Sequence, residues 1–111
     1  MMKVSVFLLA LGITVLRAAT TPSKVTNVEV SVTSSSATLT WDEPETTNGD
    51  IILYSVWYSP WGSSGSIQVD STERSITIDG LNPSSYYSYS IRAKNANGYG
   101  SYYISKFLTK S

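Results

Sequence analysis

Leu81-Asn82-Pro83-Ser84-Ser85-Tyr86-Tyr87-Ser88-Tyr89-Ser90-Ile91-Arg92-Ala93 is the stretch that decides the fold. It opens on a chain reversal, because proline fixes φ and asparagine and serine hydrogen-bond locally in turns. Tyr87, Tyr89, Ile91 and Ala93 then alternate with Ser88, Ser90 and Arg92, the period of two expected of a strand with one buried face. Upstream, Ser75-Ile76-Thr77-Ile78 reads as a strand closed by Asp79-Gly80, and Ile67-Gln68-Val69 as a short edge strand after the turn Pro60-Trp61-Gly62-Ser63-Ser64-Gly65-Ser66.

Further out the same period recurs. Ile52, Tyr54, Val56 and Tyr58 alternate with Leu53, Ser55 and Trp57, which places the even positions inward and Trp57 on the outer face. Ala37, Leu39 and Trp41 form a second inward row, with Trp41 as the natural centre of a core, and Val28, Val30 and Val32 form a first. After Asn95-Ala96-Asn97-Gly98-Tyr99-Gly100-Ser101, read as a loop, the last strand is ambiguous. Tyr103, Ser105 and Phe107 inward leave Ile104 and Leu108 exposed unless a bulge intervenes. About seven short strands at even spacing, with no helical period after the first eighteen residues, indicate an all-β sandwich.

A chain of 111 residues has room for one ordinary domain. It contains no cysteine and no histidine. A disulfide framework and a thiolate metal site are thereby excluded, and the commonest general base and metal ligand is missing. Met1-Met2-Lys3, an apolar run from Val4 to Leu16 and Arg17-Ala18-Ala19 have the layout of a secretory signal peptide over residues 1–18. The run is shorter than the ~20 residues of a membrane span. Without Lys3 and Arg17, six basic residues face eight acidic ones, a formal charge of −2 that gives nucleic acid no electrostatic reason to bind.

Taken in order, these features resemble a fibronectin type III domain over residues 22–111. The residues that carry the resemblance are Pro22 before the first strand, Trp41 closing the second, Pro44 after it, and Tyr54-Ser55-Val56-Trp57-Tyr58 on the third. Leu81-Asn82-Pro83-Ser84-Ser85-Tyr86-Tyr87 matches a tyrosine corner, and Gly98-Tyr99-Gly100-Ser101 the loop before the last strand. The resemblance implies a seven-stranded immunoglobulin-like β-sandwich of fibronectin type III topology, in which the hydroxyl of Tyr87 returns to backbone near the turn. An immunoglobulin domain proper usually pairs two cysteines across its sheets, and this chain has none.

Function resides in sites and not in the fold. Strand parity leaves Trp57 outside, and Trp61, Arg92, Tyr99 and Tyr102 fall on neighbouring strands and loops. Tyrosine among serine and glycine is the composition of adaptable binding loops, so these five residues are the candidate partner-binding surface. The competing reading is that Trp57 covers the aliphatic part of Arg92 or Lys94. Asp42, Glu43, Glu45 and Asp50 crowd one loop but lack the regular alternation of a calcium loop, and solvated charge is the expectation there. Asn82 is followed by Pro83, so no N-glycosylation acceptor is present. The expectation is a secreted, extracellular, non-enzymatic protein-binding or adhesion module, without cofactor or metal, monomeric or weakly self-associating. The alternative is a self-associating component of an extracellular matrix or coat.

Overall fold

Period-two alternation becomes two packed antiparallel sheets in the computed structural model, which describes residues 20–111. The signal peptide expected over residues 1–18 lies outside the described residues. The strands are β1 (Thr26–Val32), β2 (Ala37–Asp42), β3 (Leu53–Pro60), β4 (Ile67–Ser71), β5 (Ser75–Ile78), β6 (Tyr86–Asn95), β7 (Gly98–Tyr99) and β8 (Tyr103–Leu108). One sheet has the order β1-β2-β5; the other runs β4-β3-β6-β7, with β8 also pairing β6. The strand beyond the expected seven is β7, the two-residue pairing of Gly98 and Tyr99 with Asn95 and Lys94, inside the stretch expected to be loop. The described residues contain no helix.

Between the sheets lie Leu39, Val56 and Ile91, fully buried, with Trp41, Tyr54, Tyr87, Tyr89 and Phe107 around them. Burying each large apolar side chain contributes about 1.5–3 kcal/mol. The aromatic rings meet at angles their quadrupoles favour. Trp41 stands edge-on to Tyr54 at 5.4 Å, and Phe107 stacks on Tyr87 at 5.6 Å. Val28, Val30 and Val32 pack on the core as their parity required.

Two local expectations change. Ile52 is 51% exposed, and Ile51 packs against the core instead. The strand begins only at Leu53, so the period of two does not extend back to Ile52, whose amide donates to the Lys94 carbonyl at 2.7 Å. In β8 the register with β6 is uninterrupted, so no bulge rescues Ile104 and Leu108, which stay 72% and 46% exposed. The irregular register lies in β1, between Thr26 and Glu29, where Asn27 takes a φ of 50°.

β6 is the central strand and alternates without a break, from exposed Tyr86 through buried Tyr87, Tyr89, Ile91, Ala93 and Asn95. At its start, the Tyr87 hydroxyl accepts a hydrogen bond from the Asn82 amide at 2.8 Å, the bond expected of the corner. Buried Thr109 supports the same turn. Its hydroxyl donates to the Asn82 carbonyl at 2.6 Å and accepts from the Ser85 amide at 3.0 Å. At the other end, Asn95 ties three segments together. Its side-chain amide donates to the carbonyls of Thr20, Thr47 and Asn48, and its carbonyl oxygen accepts from the amides of Asn97 and Gly98. Backbone groups that would otherwise be stranded in the interior are satisfied this way. Gly100 completes this end, because a Cβ there would fall on the Pro22 carbonyl.

Candidate functional site

The outward side of the five-stranded sheet is built in rows across the strands. Trp57 pairs with Gln68 on one side and Ser90 on the other, and Ser90 pairs with Ile104. One row along, Ser59, Ser88 and Lys106 are neighbours; in the opposite direction lie Asp70, Ser55 and Arg92. Because β6 carries small serines at positions 88 and 90 while its neighbours carry Trp57 and Ile104, the middle of the face sinks between two taller walls. The resulting groove has a volume of about 320 Å³, with Ser59, Ser88 and Ser90 at its base and Trp57, Tyr102 and Ile104 at its sides. The hydroxyls of Ser59 and Ser88 hydrogen-bond each other at 3.1 Å.

A cation held by aromatic rings stands beyond each end of the groove. The Arg92 guanidinium lies 3.9 Å from the centre of the Tyr99 ring and 4.6 Å from that of Tyr102. The Lys106 ammonium lies 4.8 Å from the Trp61 ring and 5.0 Å from that of Tyr86. Such contacts contribute about 0.5–1 kcal/mol each at exposed sites and hold long side chains in place. Lys94 also approaches Tyr99, at 5.2 Å.

The five expected residues therefore divide. Arg92, Tyr99 and Tyr102 form one cluster, and Tyr102 shares the groove with Trp57. Trp61, 60% exposed, belongs to a separate cluster with Lys106 and Tyr86. The charged ends of Arg92 and Lys94 rest on tyrosine rings, Arg92 on Tyr99 and Tyr102 and Lys94 on Tyr99. Trp57 itself is half-buried, with its indole nitrogen enclosed and without a hydrogen-bond partner. Lys106, Tyr86 and Ile104 were missed. The signal for Lys106 and Ile104 is the outer parity of the last strand, which the sequence leaves ambiguous, whereas Tyr86 is the exposed first residue of β6, next to the corner.

Elsewhere the surface is chemically plain. Among the described residues no group of three or more carboxylates could hold a metal ion. Asp42 accepts from the Asn27 side chain at 2.8 Å and lies 4.0 Å from Arg74. Burial raises the Tyr89 hydroxyl above its ordinary 10.0, with Tyr103 adding to the effect and a hydrogen bond involving Ser105 opposing it. Burial, reinforced by Glu43, raises Tyr54 as well. Both groups are core phenols rather than poised bases. No helix of the described residues is long and apolar enough to cross a membrane.

A family model described as "Fibronectin type III domain" matches residues 23–106. Ephrin type-A receptor 4-A of Xenopus laevis is 38% identical over 96 residues, covering 84% of this chain and 10% of the receptor. Human ephrin type-A receptor 5 is 41% identical over 81 residues, covering 71% of this chain and 8% of its own length. The chain thus spans about a tenth of the curated relatives it matches. Among solved structures, titin kinase with its flanking domains superposes with a TM-score of 0.71 at 25% identity, over 83% of this chain and 18% of that one. A structure titled "Myokine structure" gives 0.72 at 21% identity, over 82% of this chain and 100% of that one, a likeness of fold alone.

Proposed function

The chain belongs to the fibronectin type III family, and on that premise we propose that it is a secreted, extracellular, non-enzymatic module that binds another protein through the outer face of its five-stranded sheet. The observation that carries this reading is the groove between Trp57 and Ile104, flanked by Arg92 and Lys106, each resting on aromatic rings. Rigid aromatic side chains supply contact area at low entropic cost, and arginine and tryptophan are favoured as interface anchors. Relatives named as receptors, and the leader-like composition of residues 1–18, support delivery outside the cell.

The test is a screen of the purified chain against extracellular proteins, repeated with Ser90→Leu, which fills the groove from its base. A partner whose capture falls at least tenfold while the melting transition stays in place supports the reading; capture indifferent to Ser90→Leu removes it. Self-association in a matrix or coat is the second reading, favoured by Ile104 and Leu108 exposed on β8 and Ile67 exposed on β4, both at sheet edges. Size-exclusion chromatography separates the two: a monomer across concentration supports binding, and concentration-dependent oligomers support assembly.

A further inference from the structure

We propose that the groove takes an extended segment of an acidic protein with the pattern acidic–any–apolar–any–acidic, a deepening that rests on the partner-binding reading above. The spacing follows from the rows. Arg92, Ser90 and Ser88 are alternate residues on the outer face of β6, and Lys106 pairs with Ser88. At about 3.3 Å per residue along a strand, the Arg92 and Lys106 rows are ~13 Å apart with the Ser90 row midway. An extended ligand lying along β6 points its residues i, i+2 and i+4 to one side at the same interval. Carboxylates at i and i+4 then meet Arg92 and Lys106, and the residue between them enters the groove walled by Trp57, Tyr102 and Ile104. The pattern reads the same in both chain directions, so either polarity fits.

Charge distribution selects an acidic partner. Residues 20–111 carry six basic and eight acidic side chains, yet three of the basic ones, Arg92, Lys94 and Lys106, stand on β6 and β8. Among the described residues none of these three pairs with a carboxylate. The acidic residue on this face, Asp70, sits two strands from Arg92, and its carboxylate accepts from the Gln68 side chain. The chain's other carboxylates lie off the five-stranded sheet. The cations already rest on rings, so part of their freedom is given up before a carboxylate arrives. An apolar-walled groove between only two such cations favours a protein segment over a polyanionic glycan, which gains most from a dense basic run.

The experiment uses a fluorescent synthetic peptide, Glu-Ser-Leu-Ser-Glu with Gly-Ser flanks, against the chain by anisotropy, with Lys-Ser-Leu-Ser-Lys as its counterpart. The acidic peptide is expected to bind saturably and the basic one at least about tenfold more weakly. Lys106→Glu weakens the acidic peptide by about fivefold or more, and binding returns with Glu-Ser-Leu-Ser-Lys. Ser90→Leu abolishes binding without moving the melting transition. Equal binding of the two peptides, or no saturable binding of the acidic one, overturns the proposal. So does retention on a sulfated glycan that Lys106→Glu removes while the acidic peptide fails to bind. Panning a random peptide library, counter-selected on Ser90→Leu, tells the two failures apart. Groove-dependent peptides of another composition defeat the acidic class alone, whereas binders all indifferent to Ser90→Leu defeat the groove reading with it.

Discussion

The inward and outward sides of β6 are made from the same strand, residue by residue, and do opposite things. Inward, Tyr87, Tyr89, Ile91, Ala93 and Asn95 are each at most 4% exposed, and every polar atom there that closes a turn has a partner. Outward, Ser88, Ser90, Arg92 and Lys94 are partly exposed, and arginine is held by rings instead of by hydrogen bonds. One side is packed to remove freedom from the chain, the other to hold a few side chains still while leaving space beside them. Stability and recognition are therefore separable on this strand, since substitutions 3.3 Å apart in the backbone reach different surfaces.

Substitutions on either side can break that separation. Ile91→Ala removes a fully buried side chain and is expected to cost about 2–5 kcal/mol in a denaturant titration. Asn95→Ala strands carbonyls of Thr20, Thr47 and Asn48 together with two amides, at about 2 kcal/mol or more, and loosens hydrogen exchange in both loops at that end. Tyr87→Phe keeps the ring on Phe107 but leaves the Asn82 amide unpaired, at about 1 kcal/mol by chemical melt. On the outer side Lys106→Glu is expected to cost at most about 1–2 kcal/mol, the two exposed ring contacts that it gives up. A loss of several kcal/mol there would show that the outer face is structural after all.

A last, smaller effect is one of pH. Burial raises Tyr54 and Tyr89 above 10.0, so at high pH the unfolded chain gives up these protons before the folded one does. The stability is complete below about pH 10 and declines as pH rises beyond it towards the folded values. Thermal melts from neutral to strongly alkaline pH are expected to show a falling midpoint, and Tyr89→Phe a shallower fall.

Much of this was legible in the chain because a sandwich is written in alternation. The rows Ala37-Leu39-Trp41 and Tyr87-Tyr89-Ile91-Ala93 identified the core, and the run from Leu81 to Tyr87 identified the corner. Asn95 continued the inward row, but its polarity and its Asn-Ala-Asn-Gly context marked a loop, and only its partners from residues 20, 47 and 48 make burial favourable. Thr109 escaped for the same reason.

The sequence by itself determined the class of fold, the identity of most core residues and the side of the third strand on which Trp57 lies, because side-chain direction in a strand follows from position alone. Tertiary structure decided which aromatic ring holds which cation, that Lys106 rather than Lys94 stands opposite Arg92 along the groove, and that serines at 88 and 90 leave a hollow. Those facts depend on the register between β3, β6 and β8, and register is set by the packing of the whole sheet against its partner, not by any one strand.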